Sequence, residues 1–318
     1  IHLADYIFTA SREFLDRILM KTHTSTLSGS RMWVAITAHQ PLKRINSLVN
    51  TVRAYLDYDL EVKINIYIDY ESEKDVETLK SILEPYFLEL DIEIKVCGPE
   101  YSGWELTWAH KTDLVLACMN YTADFYVYQE NDMILTYENL KYWFRWKNRL
   151  SAAGFEPGFV RYEEYEGLKI PFDNYHTFSL TRETPNVWHD VGFEVKKMLV
   201  VDPDIKFFAQ VSNPYYGAMI LNQDDAIKYV RSQSMDPVRS YELVGIRNWP
   251  LADRSSMGLA FENVPAGHEH RRWIPVVEEN GKYVPHKCCL IKHDDTKYTK
   301  ELLNKSSNLI DCKQMFKL

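Results

Sequence analysis

The chain has 318 residues, enough to bury a full core as one large domain or two small ones. Hydrophobic residues make up 46% and charged residues 26%, which excludes disordered, collagen-like and coiled-coil chains. With 37 Lys and Arg against 45 Asp and Glu, the net charge of −8 lacks the basic footprint of a nucleic-acid binder, so no nucleic-acid partner is expected.

No apolar run approaches the roughly 18 residues that a membrane helix needs. The first residue is Ile1 rather than Met, which leaves room for a leader or membrane anchor upstream. Secretory and cytoplasmic compartments both stay open. Aromatic residues reach 14%, and glycine is scarce at 12. The chain has neither G-x-G-x-x-G nor G-x-x-x-x-G-K-[ST], which sets aside Rossmann dehydrogenases and P-loop NTPases. Its five cysteines form no C-x-x-C pair, so a structural zinc site is not expected.

In chain order, residues from about Tyr6 to Met20 have helical spacing, and Thr22 to Ser30 reads as a linker. Met32 to Thr37 is a short apolar run consistent with a buried strand. After Pro41, the stripe of Leu42, Ile45, Leu48, Val49 and Val52 predicts a helix. Val62 to Asp69 is strand-like and ends on an aspartate. Ser72 is a candidate cap for a helix that turns Val76, Leu79 and Leu83 inward. Ile92 to Val96 predicts a third strand, Trp104 to Met119 a helix, and Phe125 to Tyr128 a fourth strand.

This alternation predicts an α/β domain with a mostly parallel sheet and helices on both faces. Beyond a helix from about Tyr137, short strands are expected at Gly158 to Tyr162, Met198 to Val201, Phe207 to Val211 and Tyr216 to Leu221. The expected organisation is an N-terminal helix and linker over 1–30, one domain over 31–290 divided after residue 136, and a tail over 291–318.

The sharpest local feature is Asp124-Phe-Tyr-Val-Tyr-Gln-Glu130-Asn131-Asp132-Met133, an apolar strand that runs straight into three polar residues. Ligands of open α/β sheets bind in the crevice at the carboxyl ends of the strands. Two carboxylates one residue apart at that place are suited to a hard divalent cation, Mn²⁺ or Mg²⁺. A plainer reading is a polar turn in which Asp132 caps the next helix.

The acidic triplet resembles the D-x-D segment of GT-A glycosyltransferases. Val34-Ala-Ile-Thr37-Ala-His39 followed by Arg44 is similar to their opening strand and nucleotide-facing loop, Asn65 to Asp69 to their second strand, and Trp108-Ala-His-Lys111 to the helix before the metal strand. The resemblance covers roughly residues 32–275 and points to no single family. It implies a GT-A-like fold that transfers a sugar from a nucleotide diphosphate-sugar, a UDP- or GDP-sugar, to a glycan or glycoconjugate acceptor.

The same resemblance implies site residues. Glu130 and Asp132 would hold the metal, with His268 as the C-terminal histidine that completes it and His270 as its competitor. Thr37, His39, Arg44, Asp69, Lys111, Glu130 and Asn131 would face the nucleotide or its phosphates. An inverting enzyme also needs a general base. Asp253 is the first candidate, and Asp190 and Glu262 are the alternatives. A retaining enzyme needs none. Tyr215, Tyr216, Trp249 and Trp188 are the aromatic candidates for stacking on sugar. Two rivals remain, a catalytically inactive carbohydrate-binding relative and a nucleotidyltransferase. The second usually carries a glycine-rich loop after its first strand, where this chain has Ala38-His-Gln-Pro-Leu-Lys-Arg.

Overall fold

A computed structural model describes residues 27–69, 72–165, 167–171, 194–197, 205, 207–210, 214–243, 245–246, 249–279 and 282–296. The expected N-terminal helix, the Met198 to Val201 strand, Trp188, Asp190 and Cys312 all lie outside them.

The apolar run at the start becomes β1 (Arg31–Ala38), which is buried along almost its whole length. A short 3-10 turn leads into α1 (Ile45–Arg53), and β2 (Glu61–Ile68) follows. Next comes α2 (Glu73–Leu83), where the Ser72 side chain accepts a hydrogen bond from the Asp75 amide as a helix cap should. Then come β3 (Asp91–Val96), α3 (Lys111–Met119) and β4 (Phe125–Glu130). The helix expected over Trp104 to Met119 is divided. Gly103 takes a left-handed φ of 62°, a 3-10 turn runs to Trp108, and the α-helix starts only at Lys111.

After the acidic turn the chain forms β5 (Met133–Ile134) and α4 (Tyr137–Ser151). It continues through β6 (Glu156–Pro157), β7 (Val160–Tyr165), β8 (Leu168–Pro171), β9 (Glu194–Lys197), β10 (Phe207–Gln210) and β11 (Ala218–Asn222). The last described elements are α5 (Gln223–Tyr229), α6 (Leu251–Ser256), β12 (Arg272–Glu279), β13 (Lys282–Pro285) and β14 (Leu290–His293). β11 starts two residues later than the sequence suggests because Gly217 is left-handed, with φ 64°. β14 runs past residue 290, where the tail was expected to begin.

The central sheet has the order β11-β4-β1-β2-β3. Its four strands β4, β1, β2 and β3 are parallel, and only β11 runs against them. Alternate residues of β1 feed two cores. Met32, Val34 and Ile36 face the core that holds Leu48 and Trp146, while Trp33 and Ala35 face the one that holds Leu114 and Tyr229. Helices therefore cover both faces, as the sequence predicts. Each fully buried aliphatic side chain of this kind contributes about 1.5–3 kcal/mol. Among the described residues no helix is long and apolar enough to cross a membrane.

Two smaller sheets complete the second half. One has the order β13-β12-β10-β9, and the other β5-β14-β7-β8. In the latter, β14 lies parallel to β7 and antiparallel to β5, which carries its last residues to the acidic turn. A capping box of Thr136 and Asn139 starts α4, and the Asn139 amide also donates to the carbonyls of Cys288 and Leu290 at 2.8 and 3.0 Å. One side chain thus caps the helix and fixes the entry to β14.

Candidate active site

The acidic turn is held from three sides. Thr37 of β1 lies in register with Glu130, and its carbonyl accepts from the Asn131 amide at 3.1 Å. The Glu130 amide donates to the Gly217 carbonyl at 3.0 Å, and Thr51 of α1 donates to the Asn131 carbonyl at 2.9 Å. The close approach at Gly217 requires glycine. A Cβ there would come within 2.8 Å of Met133 Cγ, and its φ of 64° is already unfavourable for any other residue.

Asp132 is buried, and its two oxygens are treated differently. Oδ2 accepts from Arg44 at 3.1 Å and lies 3.4 Å from His293 Nε2. Oδ1 is buried without a hydrogen-bond partner among the described residues, and so is the Asn131 side-chain nitrogen. Burial opposes the charge on Asp132. The hydrogen bond from His293 outweighs it, together with the positive charges of His293, Arg44 and Arg161, and holds the carboxyl below its usual range. The other ring nitrogen of His293, Nδ1, lies 2.9 Å from Glu163, which is fully buried. Although burial alone would lower it, hydrogen bonds to Asp132 and Glu163 keep the imidazolium up at about 9.

Glu130 differs from its neighbour. Burial, the charge of Asp132 and that of Asp253 push its carboxyl upward, against a hydrogen bond donated by the Tyr215 hydroxyl. The Arg161 guanidinium lies over the Tyr215 ring, 4.3 Å from its centroid. Asp253, on α6, raises Tyr128 and Tyr215 as well as Glu130, so α6 places its carboxylate beside the turn. Paired carboxylates with opposite displacements are a mark of functional sites.

The ends of β1 and β2 form the adjoining rim. Gln40 is left-handed, with φ 47°, a conformation that costs a non-glycine residue free energy. Asp69 holds it there by accepting from the Gln40 amide at 3.0 Å, while its other oxygen lies 2.5 Å from His39 Nδ1. His39 and Arg44 are half-exposed on this rim. Below them Thr37 and Tyr128 share a hydrogen bond at 3.1 Å, and Ser255 of α6 donates to the same phenol at 3.3 Å.

The structure thus brings Thr37, His39, Arg44, Asp69, Glu130, Asn131, Asp132 and Asp253 to one end of the sheet, with Lys111 buried against the Tyr128 ring below it, while His268, His270 and Glu262 take other partners. Lys111 is buried against Tyr229 and the Ser255 carbonyl at 2.5 and 2.8 Å, amid the rings of Trp108, Tyr128 and Tyr229. Burial lowers its ammonium well below the usual range. His268 packs edge-on against Phe155 and Trp273, at ring distances of 4.8 and 5.7 Å. The histidine on Asp132 is His293, because the β7–β14 pairing and not the loop at 263–271 reaches the turn. His270 accepts from the Arg272 amide at 3.1 Å, and Glu262 accepts from Ser234.

Sequence spacing does not single out Arg161, Glu163 or His293. Only one cue was available, the run Leu290-Ile-Lys-His293-Asp-Asp, in which an apolar pair leads to a histidine beside two carboxylates. Among the described residues no three His, Cys, Asp or Glu side chains stand together as a complete metal-binding group. The open Oδ1 of Asp132 fits one ligand position of a hard cation, and Mg²⁺ or Mn²⁺ commonly takes one or two carboxylates and completes its shell with phosphate and water.

Neither a family model nor a curated protein matches the chain. Among solved structures it is similar to the glycosyltransferase GlyE of Streptococcus pneumoniae TIGR4, at 11% identity and a TM-score of 0.36, covering 74% of this chain and 44% of that one. Residues 1–349 of S. aureus TarS give 11% and 0.36, with 86% and 64% covered. A putative glucose-1-phosphate thymidylyltransferase from Bacillus anthracis also gives 11% and 0.36, with 89% and 98% covered. The chain spans less than two thirds of the GlyE and TarS chains. Likeness at this level carries no functional argument.

Proposed function

We propose that this protein is a GT-A-like glycosyltransferase that moves a hexosyl or pentosyl group from a nucleotide diphosphate-sugar, a UDP- or GDP-sugar, to a carbohydrate or glycoconjugate acceptor. One observation carries the reading. Asp132 presents a buried carboxylate oxygen with no partner among the described residues, beside Glu130, at the carboxyl ends of parallel strands. Buried polar atoms are nearly always satisfied, so one left open at a ligand crevice calls for a ligand.

When bound, Mn²⁺ or Mg²⁺ on Asp132, with Glu130 beside it, would neutralise the diphosphate that leaves as the glycosidic bond breaks. Arg44 is half-exposed and already turned toward Asp132, which suits it to a phosphate oxygen. The strained Gln40 turn, His39 and Asp69 line the rim for the nucleoside. Asp253, whose charge is felt at Glu130, would take the acceptor hydroxyl's proton in an inverting reaction. Residues 188–272 would select the acceptor.

The test is thermal stability with UDP, GDP, CDP and their common sugars, each with Mn²⁺, Mg²⁺ or EDTA. A ligand that binds only the folded state raises the midpoint according to its concentration over Kd. We expect a rise that needs one nucleotide together with a cation and is lost in Asp132→Ala. Absence of any rise with every pair at well above millimolar concentration would overturn the donor site and favour an inactive carbohydrate-binding relative.

A further inference from the structure

Glu163 is a carboxylate with no exposed surface, and it is not part of the acidic turn. It lies on β7 two residues from Arg161, so strand geometry puts both on one face. That face is the one turned to the site, since Arg161 reaches the Tyr215 ring and its charge is felt by Glu130 and Asp132. β14 runs parallel alongside, with Ile291 opposite Arg161 and Lys292 opposite Tyr162, so His293 arrives next to Glu163. Glu163 Oε1 lies 2.9 Å from His293 Nδ1, and His293 Nε2 lies 3.4 Å from Asp132 Oδ2.

Burying a glutamate is costly unless it is paired, and here one partner is a ring whose other nitrogen meets Asp132. In histidines that serve metals, the group bound by the second nitrogen fixes tautomer and ring orientation, and its loss typically weakens metal binding 10- to 100-fold.

We infer that Glu163 is the positioning residue for His293: by accepting the Nδ1 proton it keeps Nε2 turned to Asp132 and so sets the protein's affinity for a divalent cation. The inference rests on the cation reading of the acidic turn proposed above. An ordinary strand-to-strand ion pair between β7 and β14 would tie the same residues together, but it would affect stability and not the cation.

A double-mutant cycle on the full chain separates the two. Glu163→Gln, His293→Ala and the pair are titrated with Mn²⁺, with and without UDP, following the free-ion electron paramagnetic resonance signal. Glu163→Gln, close to isosteric, should weaken Mn²⁺ binding about 10- to 100-fold in the wild-type background and not at all in His293→Ala. An unchanged affinity, or an equal loss in both backgrounds, would overturn the inference while leaving the cation site standing. A wild-type chain that takes up no Mn²⁺ under either condition would remove the cation reading, and the positioning role with it.

Should Glu163→Gln fail to fold, the wild-type protein gives the answer by nitrogen-15 NMR. Nδ1 of His293 should stay protonated when Mg²⁺ and UDP are added, and loss of that proton would overturn the assignment.

Discussion

The half of the molecule up to Glu130 and the half beyond it are built on different principles. β1, β2 and β3 pair with strands about 30 residues away, joined by short helices, and β4 then lies down beside β1. In the second half, β14 pairs with β7 across 130 residues, and Arg272 reaches Glu156 across 116. The first half supplies the acidic turn and one of its charges, Arg44. The second supplies His293, Tyr215 and the charges of Arg161 and Asp253. The carboxylates sit on a locally connected scaffold, and groups of the second half join burial and Arg44 in setting how readily each of them ionises. Such a seam is where a ligand finds preorganised charge.

The largest effect should come from Asp132→Ala, measured as turnover of the nucleotide-sugar donor. If the first half holds the cation, transfer should fall by at least about a hundredfold, the scale for losing one preorganised electrostatic contact. Folding should survive, because half-exposed Arg44 regains water and His293 keeps Glu163. A chain that still transfers sugar at a comparable rate would move the chemistry away from the turn.

The two halves share one apolar core and should unfold as one unit. Ile66 of β2 and Ile274 of β12 are both fully buried, and both belong to the same apolar core. Truncating either to Ala should cost about 2–5 kcal/mol, read by denaturant unfolding. A shared core predicts one transition for both variants. If Ile274→Ala instead gave a separate early transition, the second half would be a unit of its own.

The same contrast explains what could be read from the sequence. The first half has apolar runs of strand length, and Ser72 caps a helix where its side chain predicts one. Asn222 does the same for α5. Thr37, Asp69, Glu130 and Asp132 stand at the ends of such runs, so their gathering at one sheet end follows from order alone. β12 and β13 carry Pro275 and Pro285, and a proline weakens the strand signal of a run. Arg161-Tyr-Glu163-Glu reads as a solvated strand, because charges belong outside unless a partner is known. That partner lies 130 residues away. The resemblance points to His268 as the C-terminal histidine, but a match along the chain is not proximity in space, and the histidine beside Asp132 is His293.

A smaller effect is expected where the halves touch through backbone. Gly217→Ala places a methyl 2.8 Å from Met133 Cγ at a φ of 64°, so it should cost about 1–3 kcal/mol in thermal or denaturant unfolding. Since the Glu130 amide donates to the Gly217 carbonyl, transfer should fall as well. A fully active and fully stable Gly217→Ala would show that the seam is looser than it looks.

The smallest effect concerns pH. His293 is held at about 9 in the folded chain against an ordinary 6.5, so the native state binds its proton more tightly than the unfolded one. That preference stabilises the fold fully below pH 6.5 and is lost as pH rises through about 9. In the cation-free protein, the stability of the wild type relative to His293→Gln should therefore decline between pH 6 and pH 9.5. In a chain of this size each kcal/mol lost lowers Tm by about 2–4 °C. A difference that stays flat with pH would mean that His293 is not held as an imidazolium between Asp132 and Glu163. The second half would then shape the turn by packing alone, and the contrast between a scaffold half and a charging half would fail at its best-defined contact.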